Sequence, residues 1–182
     1  MSADVLEIVV RKDTMVRKIS RFGVFGGLAI AVSAVESLIP QPLPWSKIGF
    51  ANIIVLVALY LDGPMAAIAV GVLKVLGGGL VAGSGLSPAF WLAASGTGAS
   101  LLVMIPLVRF PRTFSPVGIA ILGAAAFNAA QLLVAGLILI GIRSLLMLLP
   151  FMLIASVITG GIIGWLVGWL LSRLSRTGIQ FA

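Results

Sequence analysis

Between Phe22 and Leu171 the chain carries only seven charged residues, Glu36, Lys47, Asp62, Lys74, Arg109, Arg112 and Arg143. So long a stretch with so few charges reads as a series of membrane spans, because each transmembrane helix needs about 20 mainly apolar residues. Dividing it at charges, prolines and Gly/Ser clusters predicts six spans, from Phe22 to Ile39, Ile48 to Leu61, Pro64 to Ala82, Pro88 to Val108, Val117 to Ile142 and Leu145 to Leu171. Composition agrees: 60% of the 182 residues are hydrophobic and 9% charged, against about a quarter charged in ordinary soluble domains. The expected fold class is all-α, a polytopic membrane protein with six transmembrane helices. The second span is short, and is expected to extend into the Pro40-Gln41-Pro42-Leu43-Pro44-Trp45 loop or to gain depth by tilt.

Three parts follow: an N-terminal tail or interfacial helix at 1–21, a membrane domain at 22–172 and a C-terminal tail at 173–182. The opening span does not read as a cleaved signal peptide, since 21 polar or mixed residues precede it and further spans follow. Arg11, Lys12, Arg17, Lys18, Arg21, Arg109, Arg112, Arg173 and Arg176 all fall on one face of a six-span topology. Only Lys47 and Arg143 fall on the other, so the positive-inside bias places both termini in the cytoplasm. The same bias accounts for most of the +7 net charge, and no nucleic-acid partner is expected.

The chain has neither Cys nor His, which excludes disulfides, thiolate and imidazole catalysis and zinc sites of the usual N/S type. Of its five carboxylates only Glu36 and Asp62 lie near apolar segments, so a carboxylate-rich two-metal centre is not expected. No cofactor is expected, and catalysis by this chain is not.

A charge near the bilayer centre costs at least about 2.5 kcal/mol on insertion scales, so intramembrane polar residues usually face a cavity, a partner or a reachable interface. On the predicted topology Glu36 lies near the outer end of span one, Lys47 opens span two and Asn52 lies deeper on it. Lys74 stands about two turns from the outer end of span three, and Asn128 and Gln131 are near mid-depth in span five. Together these six are the candidate lining of a ligand pocket open to the outside. Two lysines against one glutamate favour an anionic group on the ligand. Competing readings stay open: Lys47 snorkelling to headgroups, Glu36 pairing with a lysine for structure alone, and Asn128 and Gln131 as interhelical hydrogen-bond glue. Lys74 is too deep to snorkel easily and is the sharpest signal.

Small residues form a second pattern. Gly23, Gly27 and Ala31 recur at four-residue spacing, with Gly26, Ile30 and Ala34 on an adjacent stripe, and either stripe permits a close helix approach. Gly23, Gly27 and Ala31 are the candidate docking face for a partner subunit. Gly77-Gly78-Gly79 with Gly83-Ser84-Gly85 suggests a flexible outer loop that acts as a lid, and lacks the spacing of a P-loop.

Glu36-Ser37-Leu38-Ile39-Pro40, Pro44, Lys47-Ile48-Gly49, Ala51-Asn52-Ile53, Lys74-Val75-Leu76-Gly77, and Asn128 with Gln131-Leu132-Leu133-Val134-Ala135 resemble the Gx transporter family. Members of that family are often labelled heptaprenyl diphosphate synthase component I. The resemblance covers about residues 22–172. Phe127 departs from it, where a histidine commonly precedes the asparagine, and Ala130 replaces a glycine. The family is similar to the S components of energy-coupling factor transporters. That likeness implies an S-component-like bundle in a bacterial-type inner membrane, capturing a small anionic or vitamin-like solute. It also implies a transmembrane coupling protein and ATPases as partners, the former docking on Gly23, Gly27 and Ala31. The label implies an alternative, an accessory subunit of isoprenoid or quinone synthesis that binds a prenyl diphosphate or quinone precursor. Prenyl synthases hold magnesium through aspartate-rich motifs, and here no Asp follows Asp62.

Overall fold

The computed structural model of the chain describes residues 3–38, 49–81, 83, 87–110 and 113–176. Within them the protein is all-helical, with α1 over Ala3–Leu38, α2 over Asn52–Asp62, α3 over Pro64–Val81, α4 over Pro88–Val108, α5 over Pro116–Ala135 and α6 over Ile142–Arg176. Five of the six are long and apolar enough to cross a membrane, and α2 is a shorter apolar helix. The protein is a multi-pass helical membrane protein.

Helix ends follow the local sequence. Ser115 caps α5, its hydroxyl accepting the Gly118 N–H at 3.2 Å, and Pro116 takes the first helical position, where its missing donor costs nothing. Pro88 opens α4 in the same way. Gly63, at φ +86°, makes the turn from α2 directly into α3, a conformation that would strain any other residue. α5 widens into one π turn at Gly136–Ile140 before Gly141, at φ +78°, starts the return into α6. α1 begins at Ala3, so the N-terminal stretch is helical and continuous with the first span.

α2 occupies the middle of the bundle and packs on α1, α3, α4 and α6. Val55, Leu56, Val57, Ala58 and Leu59 are all buried on it, so it is apolar around its whole circumference. At 1.5 Å per residue its 11 residues rise about 16 Å, about half the hydrocarbon thickness, and its N-cap Ala51 and first residue Asn52 are buried inside the protein. The longer second span predicted from Ile48, and its extension through Pro40 to Trp45, fall outside the described residues except for Gly49 to Leu61.

Glycines set the closest approaches. A Cβ at Gly160 would sit 2.6 Å from the Ile121 Cα, and one at Gly164 would collide with the Val117 backbone, so α5 and α6 touch main chain to main chain. On the other side Gly26 of α1 receives Leu73 of α3, and Gly77 and Gly78 of α3 receive Ile30 and Ser33 of α1. Gly77, Gly78 and Gly79 close α3 as helix, with α1 packed against the first two, and the loop expected to form a lid lies outside the described residues apart from Gly83. Large apolar side chains such as Phe151, Ile154, Ile158 and Trp165 of α6 are exposed, as a lipid-facing surface requires.

Candidate functional site

The N-terminus of α2 meets a carboxylate and an ammonium. Glu36 in the last turn of α1 is 2% exposed, and its carboxylate accepts the backbone N–H of Gly49. From there the chain turns into α2 through the Asn52 N–H to Gly49 carbonyl bond and the Ile53 N–H to Phe50 carbonyl bond, both 2.9 Å. Gly49 has φ +86°, a backbone conformation that favours glycine, and a Cβ there would lie a tight 3.3 Å from the Asn52 amide. A carboxylate beside a helix N-terminus gains from the partial positive charge of unpaired N–H groups.

Lys74 of α3, 4% exposed, reaches the same place from the other side. Its ammonium donates to Asn52 Oδ1 at 2.6 Å and to Thr97 Oγ1 of α4 at 3.3 Å, and lies 5.1 Å from the ring centroid of Phe127 on α5. So deep a cation persists because oxygens and an aromatic face replace its water. Ser33, Glu36, Lys74 and Phe127 surround a cavity of about 10 Å³, room for about one water. A second cavity of the same size lies on the far side of Phe127, lined by Gly49, Asn52 and Ser100. The Phe127 ring, 2% exposed and packed between Gly49 and Gly96, separates the two.

Two larger openings face the lipid. One, of about 250 Å³, runs between α3 and α4 past Gly71, Val75, Phe90, Thr97 and Gly98. The other, of about 220 Å³, is apolar and lies beside Ala31, Val35, Phe50 and the stem of Glu36.

The structure thus brings together Glu36, Asn52 and Lys74 from three helices. Gln131 is buried one turn beyond Phe127, stacked on Gly96, and its Nε2 has no hydrogen-bond partner among the described residues. Asn128 points elsewhere: its amide donates to Ser156 Oγ of α6 at 2.8 Å and to the Met152 carbonyl at 3.4 Å. It ties α5 to α6, the glue reading that lone amides in membrane bundles often have. Lys47 lies outside the described residues.

Ser33, Thr97 and Phe127 belong to the cluster but were not among the candidate site residues. Ser33 had a usable signal, being three residues before Glu36 on the same helical face, and Thr97 is a hydroxyl at mid-span between two glycines. Phe127 was marked only as a departure from the family pattern at the place of a histidine, since an apolar ring in an apolar helix carries by itself no mark of its neighbours.

Gly23, Gly27 and Ala31 are exposed, and a Cβ at Gly23 or Gly27 would meet nothing within 4 Å. This stripe looks away from the bundle, while the adjacent one at Gly26 and Ile30 packs on α3. Near the same end of α1, Arg21 forms a 2.7 Å ion pair with Asp62, whose side chain is 2% exposed while that of Arg21 is 44%. The second carboxylate oxygen of Asp62 has no partner among the described residues. No group of three or more acidic ligands able to hold a metal occurs among the described residues.

Residues 25–170 match the model of a family described as heptaprenyl diphosphate synthase component I. The chain belongs to that family. The match takes in every residue of the cluster, from Ser33 to Gln131, and the helices that build it. No curated protein and no solved structure matches the chain.

Proposed function

We propose that this member of the heptaprenyl diphosphate synthase component I family is the substrate-binding membrane subunit of an importer of the energy-coupling-factor kind. It captures a small anionic or vitamin-like solute and catalyses no reaction itself. The observation that carries the reading is the Lys74 ammonium, held at mid-depth by Asn52 and Thr97 beside Phe127 and the Glu36 carboxylate. Short helices that begin inside a membrane bundle beside polar groups recur at the substrate sites of transport proteins, and α2 begins beside this cluster, with the Gly49 N–H given to Glu36 and the Asn52 and Ile53 N–H groups bonded within the turn. Glu36, Asn52, Lys74 and Gln131 line the site and Thr97 and Phe127 complete it, while Lys47, outside the described residues, is kept as a further candidate to neutralise an anionic group. Asn128 acts one layer back, by fixing α5 against α6.

Both termini are cytoplasmic on this reading, because the basic flanks gather at their end of the bundle. The open stripe of Gly23, Gly27 and Ala31 receives a helix of a transmembrane coupling protein, and ATPases in trans supply the energy. The word "component" in the family's description also favours work in a complex. It favours a second reading too, an accessory subunit that presents a prenyl diphosphate or quinone precursor to a soluble enzyme.

Native mass spectrometry of protein released gently from its own membranes tests the proposal. A small anion bound one-to-one, retained by the wild type and lost in Lys74→Ala, is expected. An empty wild-type protein, or a ligand kept equally by Lys74→Ala, overturns it. A stable complex with a soluble prenyl synthase in place of an ATPase module selects the second reading.

A further inference from the structure

α1 is longer than the span it contains. It runs as one helix for 36 residues, while its membrane-crossing part begins at Ile19. The helices it packs on stop at that level: Arg21 pairs with Asp62, the last residue of α2, and α3 starts at Pro64. At 1.5 Å per residue the stretch from Ala3 to Lys18 therefore adds about 24 Å of helix beyond α2 and α3.

This extension is amphipathic by register. Val5, Val9, Lys12, Val16, Ile19 and Gly23 follow one another in alternating steps of four and three, the repeat that keeps a seam on one side of a helix. Glu7, Thr14 and Lys18 fall on the opposite side. The seam runs on into the membrane as the open stripe at Gly23 and Gly27, and Ile19, where it leaves the bundle, is 68% exposed.

From this register we infer that the extension of α1 is a docking arm, which pairs with a helix of the same partner that covers the Gly23 and Gly27 stripe and meets there a carboxylate opposite Lys12. A single lysine in an otherwise apolar seam fixes register and asks for an acid on the facing helix. A second copy of this chain does not supply one. Two copies share one orientation in the membrane, so their arms would be parallel and would set Lys12 against Lys12. Lipid does not fit either, because the arm continues straight into a spanning helix and Lys12 occupies the middle of the face that would be immersed. A seam of about two heptads is marginal on its own, but contact at the stripe makes the pairing intramolecular and raises its effective concentration. The inference rests on the docking face of the proposed function and adds a second contact with the same partner.

Benzoylphenylalanine replacing Val9, Val16, Thr14 or Gly27, one at a time in the full-length chain, is irradiated in the membranes of the protein's own cells. The adducts are mapped by mass spectrometry. Val9 and Val16 are expected to label one helix of the protein that Gly27 labels, with an Asp or Glu between their attachment points, and Thr14 at least about tenfold less. Lys12→Glu should cut the Val9 and Val16 adducts at least about tenfold and leave the Gly27 adduct in place, while Lys12→Arg keeps all three.

Val9 and Val16 adducts on lipid, on a second copy or on a protein other than the one that Gly27 labels overturn the inference. Equal labelling from Thr14, or adducts indifferent to Lys12→Glu, do so as well. A Gly27 adduct with none from Val9 and Val16 overturns the arm alone, whereas the absence of any protein adduct at Gly27 overturns the docking face of the proposed function and the arm with it.

Discussion

Lys74 and Asp62 are both charged residue types buried among apolar neighbours. Lys74 donates to Asn52 and Thr97 beside the Phe127 ring and shares a cavity with Glu36, whereas Asp62 pairs with Arg21 through one oxygen, and its other oxygen has no hydrogen-bond partner among the described residues. Arg21→Ala should therefore destabilise the protein by about 2–3 kcal/mol, somewhat below the roughly 3–5 typical when a buried pair loses one member, because Arg21 is partly exposed. Adding Asp62→Leu should restore most of the loss, as followed by thermal unfolding in detergent; no recovery would mean that the carboxylate is not the strained group. Phe127→Ala should cost about 3–5 kcal/mol, because its ring fills the space between two cavities that would otherwise merge. An unchanged melting temperature would show that the ring is loosely packed. The deep polar positions were legible in the sequence, since Glu36, Asn52 and Lys74 stand out in apolar helices. The direction each side chain takes was not. Asn128 and Gln131 are three residues apart on one helix, yet the first bonds to Ser156 of α6 while the second lies against Gly96 of α4.

At the level of helices, glycine has two opposite roles here. Gly160 and Gly164 let α6 rest on the α5 backbone, so Gly164→Leu should separate the pair and sharply reduce folded protein, whereas Gly161→Leu, facing open space, should be tolerated. Comparing the two by size-exclusion profile and melting temperature checks this, and equal behaviour would contradict the close packing. Gly27 has the opposite environment, with nothing near its Cβ. On the proposed function Gly27→Leu should fold normally and bind ligand as before, yet fail to co-purify with a coupling protein. Undiminished co-purification would exclude this stripe as the docking face. Pattern alone could separate the Gly23 and Gly26 stripes but not decide which one packs internally, because both have the same spacing. The run Gly77-Gly78-Gly79 stays helical, as its place within the predicted third span implies, because in lipid the backbone bonds internally and α1 packs against it.

For the molecule as a whole, the positive-inside reading predicts that reporters fused at either terminus behave as cytoplasmic, fluorescent with a green fluorescent protein and inactive with an alkaline phosphatase. The reverse pattern at either end would invalidate the orientation and the outward-facing site with it. Among the described residues the number and order of the helices and the limits of α3 and α4 were determined by the sequence alone, because hydrocarbon favours long apolar segments whose backbone bonds close within the helix, whereas the reach of α1 back to Ala3 and the shortness of α2 were not. α4 ends where composition places it, between Pro88 and the charged Arg109. What only the tertiary structure decided is which helix is central, which glycine stripe is covered, and how Glu36, Asn52, Lys74, Thr97 and Phe127 converge at the start of α2. In water an amphipathic stripe marks the buried face of a helix, but in lipid both faces are apolar. The inward direction is then set by packing and by the few polar groups that must find one another.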